Sequence, residues 1–155
     1  MIEKVGFNIT LLPLRYRPET GGMVLLHRVQ EGVYEIPNAF LGATDTPEMT
    51  AHSVLEELGL DGQEESISAS TIFGEPSRDP SGHNVAQFYV AQMKQDAERK
   101  TDETDSDYVW FVATSHEAKV DLSTDDTTII LYRDGRITGD ATLALDHSNM
   151  FTTIF

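Results

Sequence analysis

Short stretches in which apolar and polar residues alternate predict several β-strands along the chain. In the first, residues 5–14, Val5, Phe7, Ile9 and Leu11 fall on one side. Further strands are predicted over residues 23–29, 67–73, 85–93 and 108–112, with a short strand ending at Pro37 and a hairpin over residues 127–138. The hairpin turns at Asp134-Gly135, a pair that favours tight primed turns. A short helical turn is predicted over residues 115–118.

One stretch has helical periodicity. Thr46 is a suitable N-cap, Pro47 suits the first helical position, and Gly59 can end the helix in a left-handed conformation. The predicted helix therefore covers about three turns, from Pro47 to Leu58. Its apolar positions fall on one narrow arc, which predicts one packed face and one polar face: Ala51, Val54, Leu55 and Leu58.

Two adjacent carboxylates, Glu56 and Glu57, stand in the last turn of this helix. They meet the negative end of the helix dipole, which costs about 0.3 to 1 kcal/mol for each charge at an exposed site unless a cation offsets it. A bound metal ion would supply that cation. The alternative is an acidic helix end in contact with solvent.

Composition and charge narrow the classes of function. The chain has 155 residues, 39% of them hydrophobic, which predicts one soluble globular domain over residues 1–155. The net charge of −15, from 26 acidic against 11 basic residues, argues against a nucleic-acid partner. The absence of cysteine removes disulfides and thiolate chemistry. No signal region or membrane-spanning apolar run is visible, so no membrane partner and a cytoplasmic location are expected.

The stretch from residue 34 to residue 60 resembles the box of the Nudix hydrolases. That box has a Pro-Gly-Gly turn, a glutamate and then Arg-Glu-x-x-Glu-Glu-x-Gly on a helix. Glu56, Glu57, Gly59 and Leu60 match its end, and residues 34–37 match its aromatic-x-aliphatic-Pro lead-in. Other positions differ from the box: Asn38 and Ala39 replace its glycines, Thr44 its first glutamate, and His52 and Ser53 its Arg-Glu pair.

Two later segments resemble the branch of that family that includes ADP-ribose pyrophosphatases and the Nudix domains of regulators of NAD metabolism. One is the Phe-Gly-x-Pro-x-Arg-Asp-Pro-x-Gly stretch over residues 73–82, and the other is Leu-Ala-Leu-Asp-His over residues 143–147. Arg78 and Asp79 of the first segment either pair with each other or border a ligand pocket. Asp146 is predicted as the N-cap of a final helix.

The resemblance implies an α/β fold of the Nudix type, an α/β/α sandwich around a mixed β-sheet. It further implies hydrolysis of a nucleoside diphosphate derivative, with an ADP-ribose-like substrate and Mg²⁺ or Mn²⁺ as cofactor. Glu56 and Glu57 would be the catalytic and metal-binding residues, and substrate contacts fall to Arg28, Phe40, Arg78 and Asp79. Auxiliary carboxylates are Asp45 and Glu48 near the helix start and Asp102, Glu103 and Asp105 in a charged loop over residues 94–107, which is predicted to be solvated.

Ser53 weakens the case for fast hydrolysis, because the family usually has a glutamate at this position. Two alternatives to a hydrolase therefore stay open. The first is a non-catalytic Nudix domain that binds or senses an ADP-ribose-like nucleotide. The second is an acidic module that binds a basic protein partner. The sequence also leaves open whether the chain forms a homodimer.

Overall fold

A mixed β-sheet between two helices forms the body of the molecule. The computed structural model describes residues 5–75, 77–100 and 107–155, and within these ranges the chain forms eleven strands and two helices. The strands are β1 (Gly6–Arg17), β2 (Gly21–Gln30), β3 (Val33–Glu35), β4 (Asn38–Phe40), β5 (Glu64–Phe73), β6 (Asn84–Met93), β7 (Tyr108–Ser115), β8 (Lys119–Ser123), β9 (Thr128–Tyr132), β10 (Ile137–Gly139) and β11 (Thr142–Leu143). The helices are α1 (Pro47–Glu57) and α2 (His147–Ile154).

The main run of the sheet has the order β10-β9-β8-β7-β2-β1-β6-β5, with β4 paired to β1, β3 to β2 and β11 to β3. β1 lies inside the sheet, parallel to β6 and antiparallel to β2. Its Ile9 and Leu11 are buried towards α1, while Leu12 is buried on the opposite face. Burial on both faces is what an α/β/α sandwich requires of a central strand. The predicted fold class is therefore confirmed.

Helix α1 begins at the predicted residue and ends at Glu57, one residue before the predicted Leu58, which is its C-cap. Thr46 Oγ1 accepts a hydrogen bond from Met49 N at 3.2 Å, Pro47 is the first helical residue, and Gly59 has a φ of +71° just after the helix. The predicted apolar arc packs against β1, β2 and β6, and all four of its members are buried: Ala51, Val54, Leu55 and Leu58.

Helix α2 packs on the other face of the sheet. Its Met150 and Phe151 are fully buried in a cluster that contains Phe111 of β7 and Leu131 of β9. Neither helix in the described ranges has the length and apolar character needed to span a bilayer.

The helical turn predicted over residues 115–118 is wrong. β7 continues to Ser115, and a tight connection follows in which His116 N donates to Lys119 O at 2.8 Å. β8 then begins, with Val120 and Leu122 buried in the sheet core. The apolar alternation of the new strand outweighs the weak helix-start pattern of the residues before it. The hairpin around Asp134-Gly135 is present as β9 and β10.

The loop predicted over residues 94–107 is present over residues 94–100, and most of its side chains are exposed as expected, with Ala97 as the exception. Ala97 is fully buried, and its carbonyl oxygen accepts a hydrogen bond from Arg15 Nη1 at 2.7 Å. The Arg15 guanidinium also lies 3.8 Å from the centre of the Trp110 ring. Arg17 and Gln63 hold the same segment, through Gln95 O at 3.2 Å and Glu98 O at 2.8 Å, so several side chains fix it to the sheet.

Candidate functional site

A cavity of about 160 Å³ opens where the start of β1, strand β4, the loop before β6 and the start of α2 come together. β1 and β4 contribute Asn8, Asn38 and Phe40, and the loop contributes Arg78 and Asp79. We call it the Arg78 cavity. It unites three of the four residues predicted to contact a substrate, namely Phe40, Arg78 and Asp79.

Arg78 is held in the wall of this cavity by a bidentate ion pair with Asp146. Arg78 Nε and Nη2 donate to the two carboxylate oxygens of Asp146 at 2.8 and 2.7 Å, and Nη1 donates to Asn84 O at 3.1 Å. The two side chains are only 4% and 16% exposed. Charge-assisted bonds of this geometry are among the stronger polar contacts in proteins. The pair ties the loop before β6 to the start of α2.

The prediction that the Asp146 side chain caps α2 is wrong, although its position is correct. Asp146 does stand at the N-cap position of α2, but its side chain makes no capping hydrogen bond. Both carboxylate oxygens are directed to Arg78 instead. A buried guanidinium is a stronger attraction for a carboxylate than a backbone amide, because it adds full charge to the hydrogen bond.

Asp79 does not pair with Arg78 through a hydrogen bond. Its carboxylate accepts from Ser81 N and Ser81 Oγ, at 2.9 and 2.7 Å, and from Asn84 Nδ2 at 2.7 Å. These bonds, chiefly those from Ser81, hold the pKa of Asp79 below its ordinary value. Asp79 is therefore a fixed negative charge at the cavity wall.

His147, the first residue of α2, lines the same cavity and is only 2% exposed. Its Nδ1 accepts a hydrogen bond from Ile36 N at 2.9 Å. Burial lowers the pKa of the imidazole to about 4. The ring is therefore neutral at pH 7, and because Nδ1 is an acceptor, the single ring proton sits on Nε2.

The burial of neutral His147 predicts a loss of stability in mild acid. The unfolded chain takes up the proton near pH 6.5, whereas the folded chain does so only near pH 4. The unfolded state therefore binds more protons between these values, and the free energy of unfolding falls as the pH drops from about 6.5 to about 4. Denaturant titrations of the wild type and of His147→Asn at several pH values check this. A variant with the same pH slope as the wild type would contradict it.

Two exposed apolar side chains also line the cavity. Phe40 is 61% exposed and Leu145 is 47% exposed. Leu145 also has a φ of +52°, in the left-handed region that residues other than glycine rarely adopt. Such strain at a cavity lined by charged and polar groups is typical of a ligand site.

The two box glutamates lie elsewhere. Glu56 and Glu57 are exposed on α1 and do not line the Arg78 cavity. Ser53, one turn earlier, donates its hydroxyl hydrogen back to Met49 O at 3.1 Å. Within the described ranges, no group of three or more histidine or acidic side chains is placed to hold a metal ion. The metal site at Glu56 and Glu57 stays a prediction.

Protein cations already occupy the carboxyl end of α1. Arg99 Nε donates to Leu58 O at 2.9 Å, and Lys100 N donates to Gly59 O at 2.8 Å. Lys100 Nζ donates to Asp61 O at 2.6 Å, just beyond the helix. These side chains place positive charge where the helix dipole is negative. Two basic side chains therefore already lie beside the carboxyl end of α1.

The remaining predicted residues are dispersed. Asp45 is half-buried, and exposed Glu48 places Oε1 3.5 Å from the hydroxyl of Tyr89. Arg28 borders a different cavity, of about 230 Å³, beside Tyr34 and Asp140, and its Nη2 lies 3.4 Å from Asp107 Oδ1. Three predicted carboxylates lie outside the described residues: Asp102, Glu103 and Asp105.

No protein-family model matches the chain, and no curated protein matches it. Solved structures do match. A MutT/nudix family protein from Enterococcus faecalis superposes with a TM-score of 0.84 at 26% sequence identity, over 97% of this chain and 61% of that one. The chain has the Nudix fold. It spans about three fifths of the length of the Enterococcus faecalis protein.

Two other proteins share the Nudix fold at lower identity. The NUDIX domain of Shewanella oneidensis NrtR, solved with ADP ribose, has a TM-score of 0.56 at 22% identity, over 70% of this chain and 73% of that one. A bifunctional NMN adenylyltransferase/ADP ribose pyrophosphatase from Francisella tularensis has a TM-score of 0.63 at 12% identity, over 99% of this chain and 41% of that one. At these sequence identities the similarity supports a shared fold and nothing further.

Proposed function

We propose that the chain is a Nudix-type domain that binds a nucleoside diphosphate of the ADP-ribose kind at the Arg78 cavity. One observation carries the proposal: the two segments that resemble the ADP-ribose branch meet there. Arg78 belongs to the first segment and Asp146 to the second, and their ion pair joins them across 68 residues of sequence.

The chemistry of the cavity supports a nucleotide ligand. Phe40 presents an exposed aromatic ring on which a base or sugar can pack. Asn8 and Asn38 bring amide groups, and Asp79 brings a fixed carboxylate, to the same space. An apolar surface with a few oriented polar groups is the usual composition of a small-molecule site. The neighbour solved with ADP ribose gives the ligand class to test first.

Binding fits the described residues better than metal-dependent turnover. Mg²⁺ or Mn²⁺, when bound, would neutralise diphosphate charge and activate water. Among the residues that the structure describes, no group of three or more histidine or acidic side chains is placed to hold such an ion, and Ser53, whose hydroxyl is bonded to the helix backbone, replaces an acidic side chain. No catalytic step is therefore assigned to these residues.

Calorimetric titration with ADP-ribose tests the proposal. Phe40→Ala is expected to weaken binding by about 5- to 150-fold, because base–aromatic stacking contributes about 1 to 3 kcal/mol. Tyr16→Ala is the matched control, since Tyr16 is 60% exposed, much like Phe40, and does not line the cavity. Equal affinity of both variants and the wild type, or no binding at all, would refute the proposal.

Hydrolysis of the same ligand is the second candidate function, supported by the match of Glu56 and Glu57 to the last two glutamates of the family box. It predicts release of AMP from ADP-ribose in Mg²⁺ or Mn²⁺, and loss of that release in both Glu56→Gln and Glu57→Gln. Tight binding without turnover supports the binding domain alone. If ADP-ribose, dinucleotides and nucleoside triphosphates all fail to bind, the acidic interaction module becomes the better account.

A further inference from the structure

The charges at the Arg78 cavity do not favour an anion inside it. Arg78 is the one cationic side chain that the described residues contribute to its wall, and its charge is already paired with Asp146. Asp79 adds a second carboxylate, so one positive charge stands against two negative ones. His147 adds no positive charge at neutral pH. A diphosphate placed here would be repelled.

The volume of the cavity also argues against a diphosphate inside it. Sites for whole drug-sized ligands usually enclose about 300 to 1,000 Å³. The Arg78 cavity encloses about 160 Å³. Only part of a nucleoside diphosphate can therefore enter, and the charge balance selects an uncharged part.

His147 offers a hydrogen-bond donor that the protein itself does not use. Its Nδ1 is occupied by Ile36 N, which leaves the proton on Nε2. Among the described residues, Nε2 donates to no acceptor. His147 lines the cavity, so a ligand in the cavity lies beside this ring.

The neighbouring amides differ from His147 in this respect. Asn8 Nδ2 donates to Asn38 Oδ1 at 3.1 Å, and Asn38 Nδ2 donates to Ile36 O at 2.8 Å. Thr10 Oγ1 donates to Asn8 Oδ1 at 2.7 Å. These contacts fix the two amides within the protein, so a ligand gains less from them.

We propose that His147 is a specificity-determining residue, whose Nε2–H donates to an acceptor atom on the uncharged nucleoside portion of the ligand. The diphosphate stays outside the Arg78 cavity, and Phe40 and Leu145 pack on the part that enters. This inference rests on the proposed function and adds which end of the ligand is recognised.

Two substitutions of His147 separate its two ring nitrogens. In His147→Asn, the amide oxygen can replace Nδ1 as the acceptor for Ile36 N, but the distal donor is lost. In His147→Gln, the longer amide can place an N–H near the position of Nε2, while Ile36 N loses its acceptor. The first variant should keep stability and lose affinity, and the second should lose stability and keep affinity. A purely structural role for His147 would not give this crossed result.

The test is calorimetric titration of the wild type and both variants with adenosine, ADP-ribose and inorganic pyrophosphate, beside denaturant titrations of the free proteins. We expect adenosine to compete with ADP-ribose and pyrophosphate not to compete. His147→Asn should weaken adenosine and ADP-ribose by the same factor, about 2- to 10-fold, the size of one neutral hydrogen bond.

The outcomes distinguish this inference from the proposed function. ADP-ribose binding that pyrophosphate displaces, or that His147→Asn leaves unchanged, overturns the inference and keeps the function. Adenosine binding that depends on His147, without added affinity from the diphosphate, supports the inference. If neither adenosine nor ADP-ribose binds the wild type, both are overturned.

Discussion

Arg78→Ala is expected to lower the free energy of unfolding by about 3 to 5 kcal/mol. The substitution removes a guanidinium that is 4% exposed and leaves the carboxylate of Asp146, 16% exposed, without its partner. It also removes the donor to Asn84 O, which helps to hold the loop before β6. Urea titration followed by circular dichroism measures the change.

A surface ion pair gives the matched control. Arg136 and Asp134 are paired at 2.9 Å, but their side chains are 66% and 57% exposed. Arg136→Ala should leave stability nearly unchanged, because solvent replaces the lost contact. A double-mutant cycle of Arg78→Ala with Asp146→Ala isolates the coupling between the buried partners. Additive effects in that cycle would contradict the role given to the pair.

Phe151→Ala is also expected to cost about 3 to 5 kcal/mol, the usual range for a buried phenylalanine. Phe151 is fully buried and fixes α2 to the sheet beside Phe111 and Leu131. α2 has only eight residues, so its position depends on this contact more than on its own helical stability. Because α2 begins at His147, the substitution should also disturb the Arg78 cavity and weaken ligand binding.

Leu55→Ala separates the two effects of Phe151→Ala. Leu55 belongs to α1 and is fully buried against the opposite face of the sheet, so its truncation should cost about 2 to 5 kcal/mol. Under conditions where both variants are folded, Leu55→Ala should bind ADP-ribose as the wild type does, and Phe151→Ala should bind it more weakly. Equal affinities of the two variants for ADP-ribose would show that the position of α2 does not affect the ligand site.

The elements predicted correctly are those specified by neighbouring residues. The ends of α1 follow from Thr46, Pro47 and Gly59, each of which acts within one turn. The turn at Asp134-Gly135 follows from two residues. The charged composition of residues 94–100 correctly predicts an exposed loop, but it does not predict that Ala97 is buried, because Arg15, about 80 residues earlier, binds the Ala97 carbonyl.

The candidate site was only partly visible in the sequence. Arg78 and Asp79 stand out by resemblance, but the partner of Arg78 lies 68 residues away at a position whose local sequence predicts a helix cap. Apart from its place after Asp146, no sequence pattern indicates a role for His147. Its role depends on its burial and on its contact with Ile36 N. Contacts between residues so far apart in sequence depend on the topology of the chain, and local sequence patterns do not predict them.

The parallel pairing of β1 with β6 has a consequence for the kinetics of folding. Gly6 pairs with Asn84 and Leu14 with Gln92, a separation of 78 residues in each case. Closing so large a loop lowers the conformational entropy of the chain before the stabilising contacts between the two strands form. This slows folding. During synthesis, β1 can first form a hairpin with β2, but its other edge stays open until the ribosome has released β6. Until then the nascent chain carries an unpaired strand edge that can associate with other chains.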